Sequence, residues 1–295
     1  MDLDTKAPAT TTDQPGPTEK IRKKSFVVDP GAILRGEEEI DRIKLELISK
    51  KPISHDTFIG TFGFDPEKTL GVPVGYHLRI FAKNAEGSET KHTYTPISLV
   101  TTKGHVEILI KVYRPCEEFP KGGELTQIID NVKVGESITV GGPRGLFSYL
   151  GRGNMFFKAD GGFERHFKKI TFLAGGTGIT PFAFMIRHIV LDAEEQTQVT
   201  LVFSNKTMDD MLLHDEFLQY QRDGKLKYVW TVTREEPADG SDTKKGRINL
   251  TMIQNSIPAP EEDHLVMYCG PKGFNVTSKN ILELLNHQEK NILKC

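Results

Sequence analysis

The chain has 295 residues, of which 37% are hydrophobic and 26% are charged, the balance of a globular protein with room for two domains of ordinary size. Its 38 basic and 40 acidic residues nearly cancel, so no net field favours nucleic acid as a partner. The three cysteines are far apart and no apolar run approaches the roughly 18 residues that span a bilayer, which argues against a disulfide framework, a metal site and a transmembrane helix.

The first 36 residues are rich in Thr, Pro, Asp and Lys and show little apolar periodicity, so we predict a disordered tail over 1–36. Apolar and polar residues then alternate, as at Ile43, Leu45 and Leu47, and again over 76–80 and 106–112. A period of two predicts half-buried strands. Because Gly and Pro break the segment into short pieces, we predict an antiparallel β-barrel over 38–152, with one short helix near Gly123.

Residues 153–167 contain Gly, Lys and aromatic residues without a clear period, and we predict a linker there. From 168 to 295, short apolar runs alternate with segments of helical pattern. The predicted strands cover 170–174, 199–203, 227–232 and 265–268, and the predicted helices cover 181–191, 211–218, 248–253 and 273–285. This alternation is typical of a doubly wound α/β domain with a parallel sheet.

A glycine-rich turn, Gly175-Gly176-Thr177-Gly178-Ile179-Thr180-Pro181, follows the first strand of the second domain. Glycines let the backbone approach a pyrophosphate, and the start of the next helix offers free N–H groups. We predict that Thr180 caps this helix and that Pro181 takes its first position. Because Pro181 replaces the third glycine of the usual dinucleotide fingerprint, an ordinary tight turn is the alternative.

The string Cys269-Gly270-Pro271 follows the last predicted strand. Ligands of doubly wound sheets bind outside the carboxyl ends of the strands, so Cys269 is a candidate to face a nicotinamide ring. The alternative is a small buried apolar residue, which is the common role of an unpaired cysteine.

Six strings stand in one order along the chain. They are His92-Thr93-Tyr94-Thr95-Pro96-Ile97-Ser98, Ile110-Lys111-Val112-Tyr113, Phe119-Pro120-Lys121-Gly122-Gly123-Glu124-Leu125-Thr126-Gln127, Gly142-Pro143-Arg144-Gly145, the glycine-rich turn, and Cys269-Gly270-Pro271. In this order, from about residue 40 to the last helix, the chain resembles the NADH-cytochrome b5 reductases of the ferredoxin-NADP reductase-like flavoprotein superfamily.

The resemblance implies an FAD-binding barrel, an NADH-binding second domain, and a nicotinamide lying against the flavin. Tyr94 would pack on the isoalloxazine, and the candidate catalytic residues are Thr95, Lys111 and Cys269. The implied cofactor contacts are His92, Tyr94, Thr95, Pro96, Ile97, Ser98, Leu109, Lys111, Tyr113, Phe119, Gly122, Gly123, Glu124, Leu125, Thr126, Gly175, Gly176, Thr177, Gly178, Thr180, Pro181, Thr233, Arg234, Cys269, Gly270 and Pro271. The alternative is that Tyr94 belongs to a strand core and that Lys111 is a solvated charge.

Two positions depart from the pattern of the family. His92 stands where the family has an arginine for the flavin pyrophosphate, so FAD is held less tightly unless another cation, such as Lys91, compensates. Thr233, beside Arg234, stands where the family has an acidic residue that accepts from the adenosine ribose and repels a 2'-phosphate. NADPH therefore stays open as a second electron donor.

The main hypothesis is an oxidoreductase in which NADH passes hydride to FAD and single electrons then go to a haem protein such as cytochrome b5. Glu124 replaces a lysine that relatives use toward this acidic partner, and the candidate substitutes are Lys121, Lys158, Lys168 and Lys169. The alternatives are a flavoprotein reductase of nitrate reductase, quinone reductase or flavin reductase type, and a non-catalytic dinucleotide-binding regulator. We expect a monomer in the cytoplasm, with peripheral attachment to an endoplasmic reticulum or mitochondrial membrane left open.

Overall fold

The computed structural model describes residues 31–34, 42–117 and 119–295. Its first half is a six-stranded antiparallel sheet with one helix, in the spatial order β4-β3-β6-β1-β2-β5. The elements are β1 (Ile43–Ser54), β2 (Thr57–Gly63), β3 (His77–Lys83), β4 (Glu89–Tyr94), β5 (His105–Lys111), α1 (Glu124–Asn131) and β6 (Ser137–Arg144). The period of two in the sequence corresponds to strands that bury one face, as Leu45 and Leu47 do in β1.

The two edges of this sheet meet just after β4. Pro96 pairs with Ile108 of β5, and the N–H of Ile97 donates to the carbonyl of Glu107 at 2.9 Å. The hydroxyl of Ser98 accepts from the N–H of Glu107 at 3.1 Å. This closing seam turns the sheet into the predicted barrel and leaves its edge strands paired.

Three short strands connect the barrel to the second half, where we predicted a linker. They are β7 (Phe147–Gly151), β8 (Asn154–Phe157) and β9 (Phe163–His166), which form an antiparallel sheet of their own. Phe157 stacks on Phe163 at 5.3 Å between ring centroids and meets the buried Phe167 edge-on at 6.4 Å. These aromatic contacts pack residues 153–167, although the sequence of this segment shows no hydrophobic period that would predict strands.

The second half is a parallel sheet with helices, which confirms the predicted fold class. Its strands are β10 (Lys169–Gly175), β11 (Gln198–Asn205), β12 (Lys227–Val232), β13 (Lys244–Lys245), β14 (His264–Cys269) and β15 (Ile292–Lys294), and its helices are α2 (Thr180–Leu191), α3 (His214–Arg222), α4 (Leu250–Ser256) and α5 (Lys272–Leu284). The strand order is β13-β12-β11-β10-β14-β15. The chain therefore reverses direction across the sheet between β10 and β14, and ligands bind at such switch points.

Most of the predicted tail lies outside the described residues. The exception is 31–34, where the N–H groups of Ile33 and Leu34 donate to the carbonyls of Thr69 and Leu70, each at 3.1 Å. Leu34 is fully buried. This short segment is thus part of the barrel rather than of a disordered tail, because its apolar side chain has a core to enter.

Helix α2 also binds the barrel. The guanidinium of Arg187 donates to the carbonyl of Ile97 and, through Nε and Nη2, to Glu216 at 2.7 Å each. His188 accepts at Nε2 from the N–H of Val100 at 3.0 Å, and its Nδ1 lies 2.7 Å from the carbonyl of Phe184. Burial lowers the pKa of His188, which keeps the ring neutral and able to accept. One helix of the second domain therefore holds the chain that follows β4.

None of the helices in the described ranges combines the length and the apolar character needed to cross a bilayer.

Two histidines lie together near the amino end of β14 in the parallel sheet. His264 is fully buried and contacts the hydroxyl of Thr171 at 2.9 Å and the carbonyl of Ala259 at 3.1 Å. His287 lies 5.2 Å from it between ring centroids, and its Nε2 has no hydrogen-bond partner. Burial, together with the neighbouring His264, lowers the pKa of His287 to about 4.

We expect this pair to make the protein acid-sensitive. The folded pKa of about 4 lies below the ordinary value of 6.5, so as the pH falls the unfolded chain binds the proton first, and stability is lost between these two values and not above them. The urea concentration at the unfolding midpoint should be lower at pH 5 than at pH 7. In His287→Phe, which keeps a ring but cannot titrate, the difference between the two pH values should be smaller. An equally large difference in the variant would exclude His287 as the cause.

Candidate active site

A cleft of about 360 Å³ opens on the barrel and reaches the second domain. Tyr94, at the end of β4, and Leu109, in β5, give it an aromatic ring beside an aliphatic chain. The lining residues are His92, Thr93, Tyr94, Leu109, Lys111, Tyr113, Phe119, Gly123, Thr126, Thr177 and Thr180. Burial raises the pKa of Tyr94, so its ring stays neutral. This surface suits one face of a flat ring system such as a flavin.

The first turn of α1 forms one end of this flavin cleft. Gly122 has a φ of 61°, and a Cβ there would lie 2.4 Å from the carbonyl oxygen of Tyr113. A Cβ on Gly123 would lie 2.7 Å from Oγ1 of Thr126, which donates to the carbonyl of Gly123 at 2.8 Å. No side chain caps the helix. Free N–H groups behind a turn too tight for side chains fit the pyrophosphate of FAD.

A second cleft, of about 600 Å³, follows the carboxyl edge of the parallel sheet. The strand ends and the start of α5 line it. The residues are Lys111, Tyr113, Gly175, Gly176, Thr177, Ser204, Asn205, Lys206, Asp210, Thr233, Arg247, Ile248, Pro271, Gly273, Phe274 and Thr277. Its position at the switch point and its length along the strand ends fit a dinucleotide.

The prediction that Thr180 caps α2 is wrong. Thr180 is the first helical residue, and its Oγ1 donates backwards to the carbonyl of Thr177 at 3.2 Å. A 3₁₀ turn over Gly176–Ile179 runs directly into the helix, so Ile179 has helical angles and not the extended ones of a side-chain cap. Pro181 does lie in the first turn. The N–H of Thr180 donates to the carbonyl of Thr177, and Pro181 has no N–H, so the N–H groups left for a phosphate are those that begin the 3₁₀ turn, at Gly176, Thr177 and Gly178.

Two turns touch at the switch point. A Cβ on Gly178 would lie 2.3 Å from the carbonyl oxygen of Cys269, and one on Gly270 would lie 2.7 Å from the ring of Phe274. The ring of Phe274 also lies 2.9 Å from the Cβ position of Gly175. The glycines of both strings therefore allow close backbone packing, and this packing places the turn after β14 against the turn after β10.

The two clefts meet at Lys111, Tyr113 and Thr177, which line both of them. The phenol oxygen of Tyr113 lies 3.2 Å from Oγ1 of Thr177, so a barrel side chain and a side chain of the glycine-rich turn are hydrogen-bonded across the junction. A ligand in each cleft would place its inner end at this point. The geometry therefore suits two ring systems in contact.

Lys111 is held between two carboxylates at this junction. Its Nζ lies 2.9 Å from Oδ2 of Asp56 in the barrel and 3.2 Å from Oδ1 of Asp210 in the second domain. Burial opposes both charges, but the ion pair outweighs it, so the pKa of Asp56 is lowered and the pKa of Lys111 is raised. The ammonium group is therefore charged, and it bridges the two domains instead of standing free in solvent.

Cys269 lies at the end of β14, and burial raises the pKa of its thiol to about 11. The residue is half-buried and packs against the main core. A protonated thiol is a poor nucleophile, so Cys269 is unsuited to covalent catalysis, and its contact with a nicotinamide ring stays a prediction.

Several predicted contacts lie outside the two clefts. Pro96, Ile97 and Ser98 form the closing seam, and half-buried Thr95 directly follows Tyr94 but does not line either cleft. The other predicted contacts away from the lining are Glu124, which accepts from Asn84, Leu125, which is in the core, Arg234, which is exposed, and the turn residues Gly122, Gly178, Pro181, Cys269 and Gly270.

The sequence reading missed the acidic partners Asp56 and Asp210 and the ring of Phe274. A signal existed for Asp210, because it follows the carboxyl end of β11. The ammonium of Lys91, the candidate substitute for the missing arginine, lies 5.8 Å from the centroid of the Phe81 ring, and its role toward FAD stays a prediction.

Two of the lysines proposed for haem docking are placed elsewhere. Lys168 and Lys169 stand at the amino end of β10, opposite the clefts, and pair with Asp263 at 3.0 Å and Glu261 at 2.6 Å. Lys121 is exposed beside Phe119, which lines the flavin cleft.

The fold and the paired clefts define a two-domain flavoprotein oxidoreductase. Residues 44–149 match the model of the oxidoreductase FAD-binding domain, and residues 172–279 match that of the oxidoreductase NAD-binding domain. The chain belongs to the NADH-cytochrome b5 reductase family, which confirms the predicted resemblance and the cofactors FAD and NADH.

Three relatives support this assignment. NADH-cytochrome b5 reductase 2 of Danio rerio is 35% identical over 256 residues, which is 84% of this chain and 82% of the relative. The Xenopus laevis protein of the same name is 39% identical over 233 residues, 77% of this chain and 78% of its own. The crystal structure of the cytochrome b5 reductase domain of Ulva prolifera nitrate reductase superposes with a TM-score of 0.81 at 28% identity, covering 90% of this chain and 100% of that domain.

We expect Gly178→Ala to separate the two turns at the switch point. Its Cβ would clash with backbone that no rotamer change can move, so unfolding in urea should show a loss of roughly 1–3 kcal/mol and a weaker affinity for NADH. Gly273→Ala is the control, because a Cβ there meets nothing within 4 Å and the free energy of unfolding should stay within about 0.5 kcal/mol. Equal stability of the two variants would contradict the close packing.

Proposed function

We propose that the protein transfers hydride from NADH to FAD and passes the electrons singly to cytochrome b5. The observation that carries the first step is that the flavin cleft and the dinucleotide cleft share Lys111, Tyr113 and Thr177. Bound FAD supplies the chemistry that links a two-electron donor to a one-electron acceptor. The protein has to bind both cofactors, orient their rings and exclude water.

In this proposal each cofactor is held by its phosphates at a helix start. The first turn of α1 takes the pyrophosphate of FAD, and the 3₁₀ turn over Gly176–Ile179, which leads into α2, takes that of NADH. Tyr94 and Leu109 cover the flavin ring, while Tyr113 and Thr177 lie where the nicotinamide meets it. Lys111 keeps this junction closed through its ion pair with Asp210 of the second domain, while Asp56 holds the same ammonium from within the barrel.

Thr95 has a tuning role in the proposal. Thr95 is half-buried and directly follows Tyr94, which lines the flavin cleft, although Thr95 itself is not among the lining residues. A neutral hydroxyl can donate a hydrogen bond without titrating. We propose that it does so to the edge of the flavin and thereby favours electron uptake.

The choice of cytochrome b5 as electron acceptor is supported by the relatives of this chain and by the residues at the mouth of the flavin cleft. Several relatives at 34–39% identity are named NADH-cytochrome b5 reductases. Phe119 is 48% exposed at the mouth, and the exposed Lys121 is close to it in the chain. An apolar side chain with a nearby cation suits an acidic haem protein. The second candidate is the flavoprotein part of a nitrate reductase, since an NADH nitrate reductase of Cucurbita maxima is 35% identical over 258 residues, although these are only 28% of that protein.

Purified protein tests the proposal directly. Flavin absorbance should be present, NADH should bleach it without oxygen, and cytochrome b5 should then be reduced in steady state. Bleaching without reduction of cytochrome b5 would contradict the acceptor and favour the nitrate reductase or quinone reductase type. Protein that stays colourless after addition of FAD would support the non-catalytic regulator.

Thr95→Val should slow flavin reduction by NADH by about tenfold, the effect of losing one hydrogen bond to the reacting group. Stopped-flow absorbance measures it. Thr90→Val, at the other end of β4, is the control and should reduce at the unaltered rate. Equal rates in both variants would remove Thr95 from the mechanism.

Asp210→Asn should loosen the domain junction. The substitution removes a negative charge that pairs with Lys111, at a site that is 7% exposed. We therefore expect the free energy of unfolding in urea to fall by roughly 1–3 kcal/mol and flavin reduction by NADH to be slower. Asp209→Asn, at the exposed neighbouring position, is the matched control. If both variants unfold alike, the ion pair does not stabilise the junction.

A further inference from the structure

The dinucleotide cleft ends in a cluster of basic side chains. Lys206 follows β11, Arg234 follows β12 and Arg247 precedes α4. We call these three residues the basic cluster. Lys206 and Arg247 line the cleft together with Thr233, the neighbour of Arg234.

Backbone hydrogen bonds join the segments that carry the cluster. The N–H of Arg234 donates to the carbonyl of Lys206 at 2.8 Å, and the N–H of Thr233 donates to that of Asn205 at 3.0 Å. The N–H of Gly246, just before Arg247, donates to the carbonyl of Val232 at 2.7 Å. The backbone segments that carry the three basic residues are therefore held next to one another at the edge of the sheet.

These charges have no acidic partner in the described part of the chain, where no ion pair within 4.0 Å joins any of the three. The neighbouring Lys245 pairs with Glu236 instead. Glu235 is engaged as well, because it accepts from the N–H of Met208 at 2.7 Å. The one carboxylate that lines the cleft, Asp210, is bound to Lys111.

The cluster lies where the adenosine half of a bound dinucleotide would reach. The pyrophosphate site is the turn after β10, and the nicotinamide end is at Lys111, Tyr113 and Thr177. The other half must then extend along the edge past β11 to β12. Thr233 is two strands from β10, or about 10 Å at the usual spacing, which is the scale of one nucleoside.

The chemistry at this end of the cleft selects between two donors. A carboxylate recognises the free 2'-hydroxyl of NADH, whereas guanidinium groups and a small hydroxyl recognise a 2'-phosphate. This end of the cleft offers Thr233, Lys206 and Arg247 and no free carboxylate among the described lining residues. We infer that Thr233 and the basic cluster form a subsite for the 2'-phosphate of NADPH, and that the protein uses NADPH at least as efficiently as NADH. The inference rests on the proposed role of a nicotinamide dinucleotide as electron donor.

Binding of nucleotide fragments tests the subsite without any turnover. Calorimetry on the FAD-loaded protein should show 2',5'-ADP binding at least about tenfold more tightly than 5'-AMP, with an advantage that shrinks as salt is added. Arg247→Ala should remove most of this advantage. Lys168→Ala, a lysine at the opposite edge of the sheet, should keep it. Equal affinities of the two fragments for the unaltered protein would overturn the inference.

Stopped-flow flavin reduction by each donor completes the test. We expect NADPH to match or exceed NADH in the unaltered protein, and Thr233→Asp to shift the preference toward NADH by about tenfold or more. Reduction by NADH alone would overturn the subsite and leave the proposed function intact. Reduction by neither donor would overturn the proposed function, while the fragment affinities would still decide the subsite.

Discussion

The hold that α2 exerts on the barrel is the constraint on which the site depends. A hydride passes only between rings held near contact, so two separately built sheets must keep one relative position. The start of α2 carries the turn for the dinucleotide, and two turns later Arg187 and His188 bind the chain that forms the closing seam. One rigid helix thus sets the distance between the two clefts, and the neutral state of His188 is part of that setting.

Charge at the junction and charge at the far end of the dinucleotide cleft have different roles. Lys111 is flanked by Asp56 and Asp210, so its charge is paired inside the protein, and the pair with Asp210 joins the two domains. The basic cluster has no such partner in the described ranges, and two of its members, Lys206 and Arg247, line the cleft. A basic side chain therefore has a structural role where carboxylates surround it and a binding role where carboxylates are absent.

Local pattern was sufficient for much of the fold. The strand predicted over 227–232 agrees with β12 residue for residue. The glycine-rich turn lies at the switch point, where Gly178 packs against the backbone of Cys269. Where the structure differs from the prediction, the causes are physical. A 3₁₀ turn took the place of a capped helix start at Thr180. Aromatic contacts pack residues 153–167, whose role as a linker stays a prediction. The position of Asp210 after β11 is a signal in the sequence, but its pairing with Lys111 has no local signal because the two residues are 99 positions apart along the chain.

The contacts between α2 and the barrel also bear on the order in which the protein folds. Its two hydrogen bonds join residues that are 90 and 88 positions apart, while every strand of the barrel is complete by Arg144. Chains fold from the N-terminus as they leave the ribosome, so the barrel emerges whole before the helix that clamps it. The contacts that set the spacing between the two clefts can therefore form only after the barrel is complete.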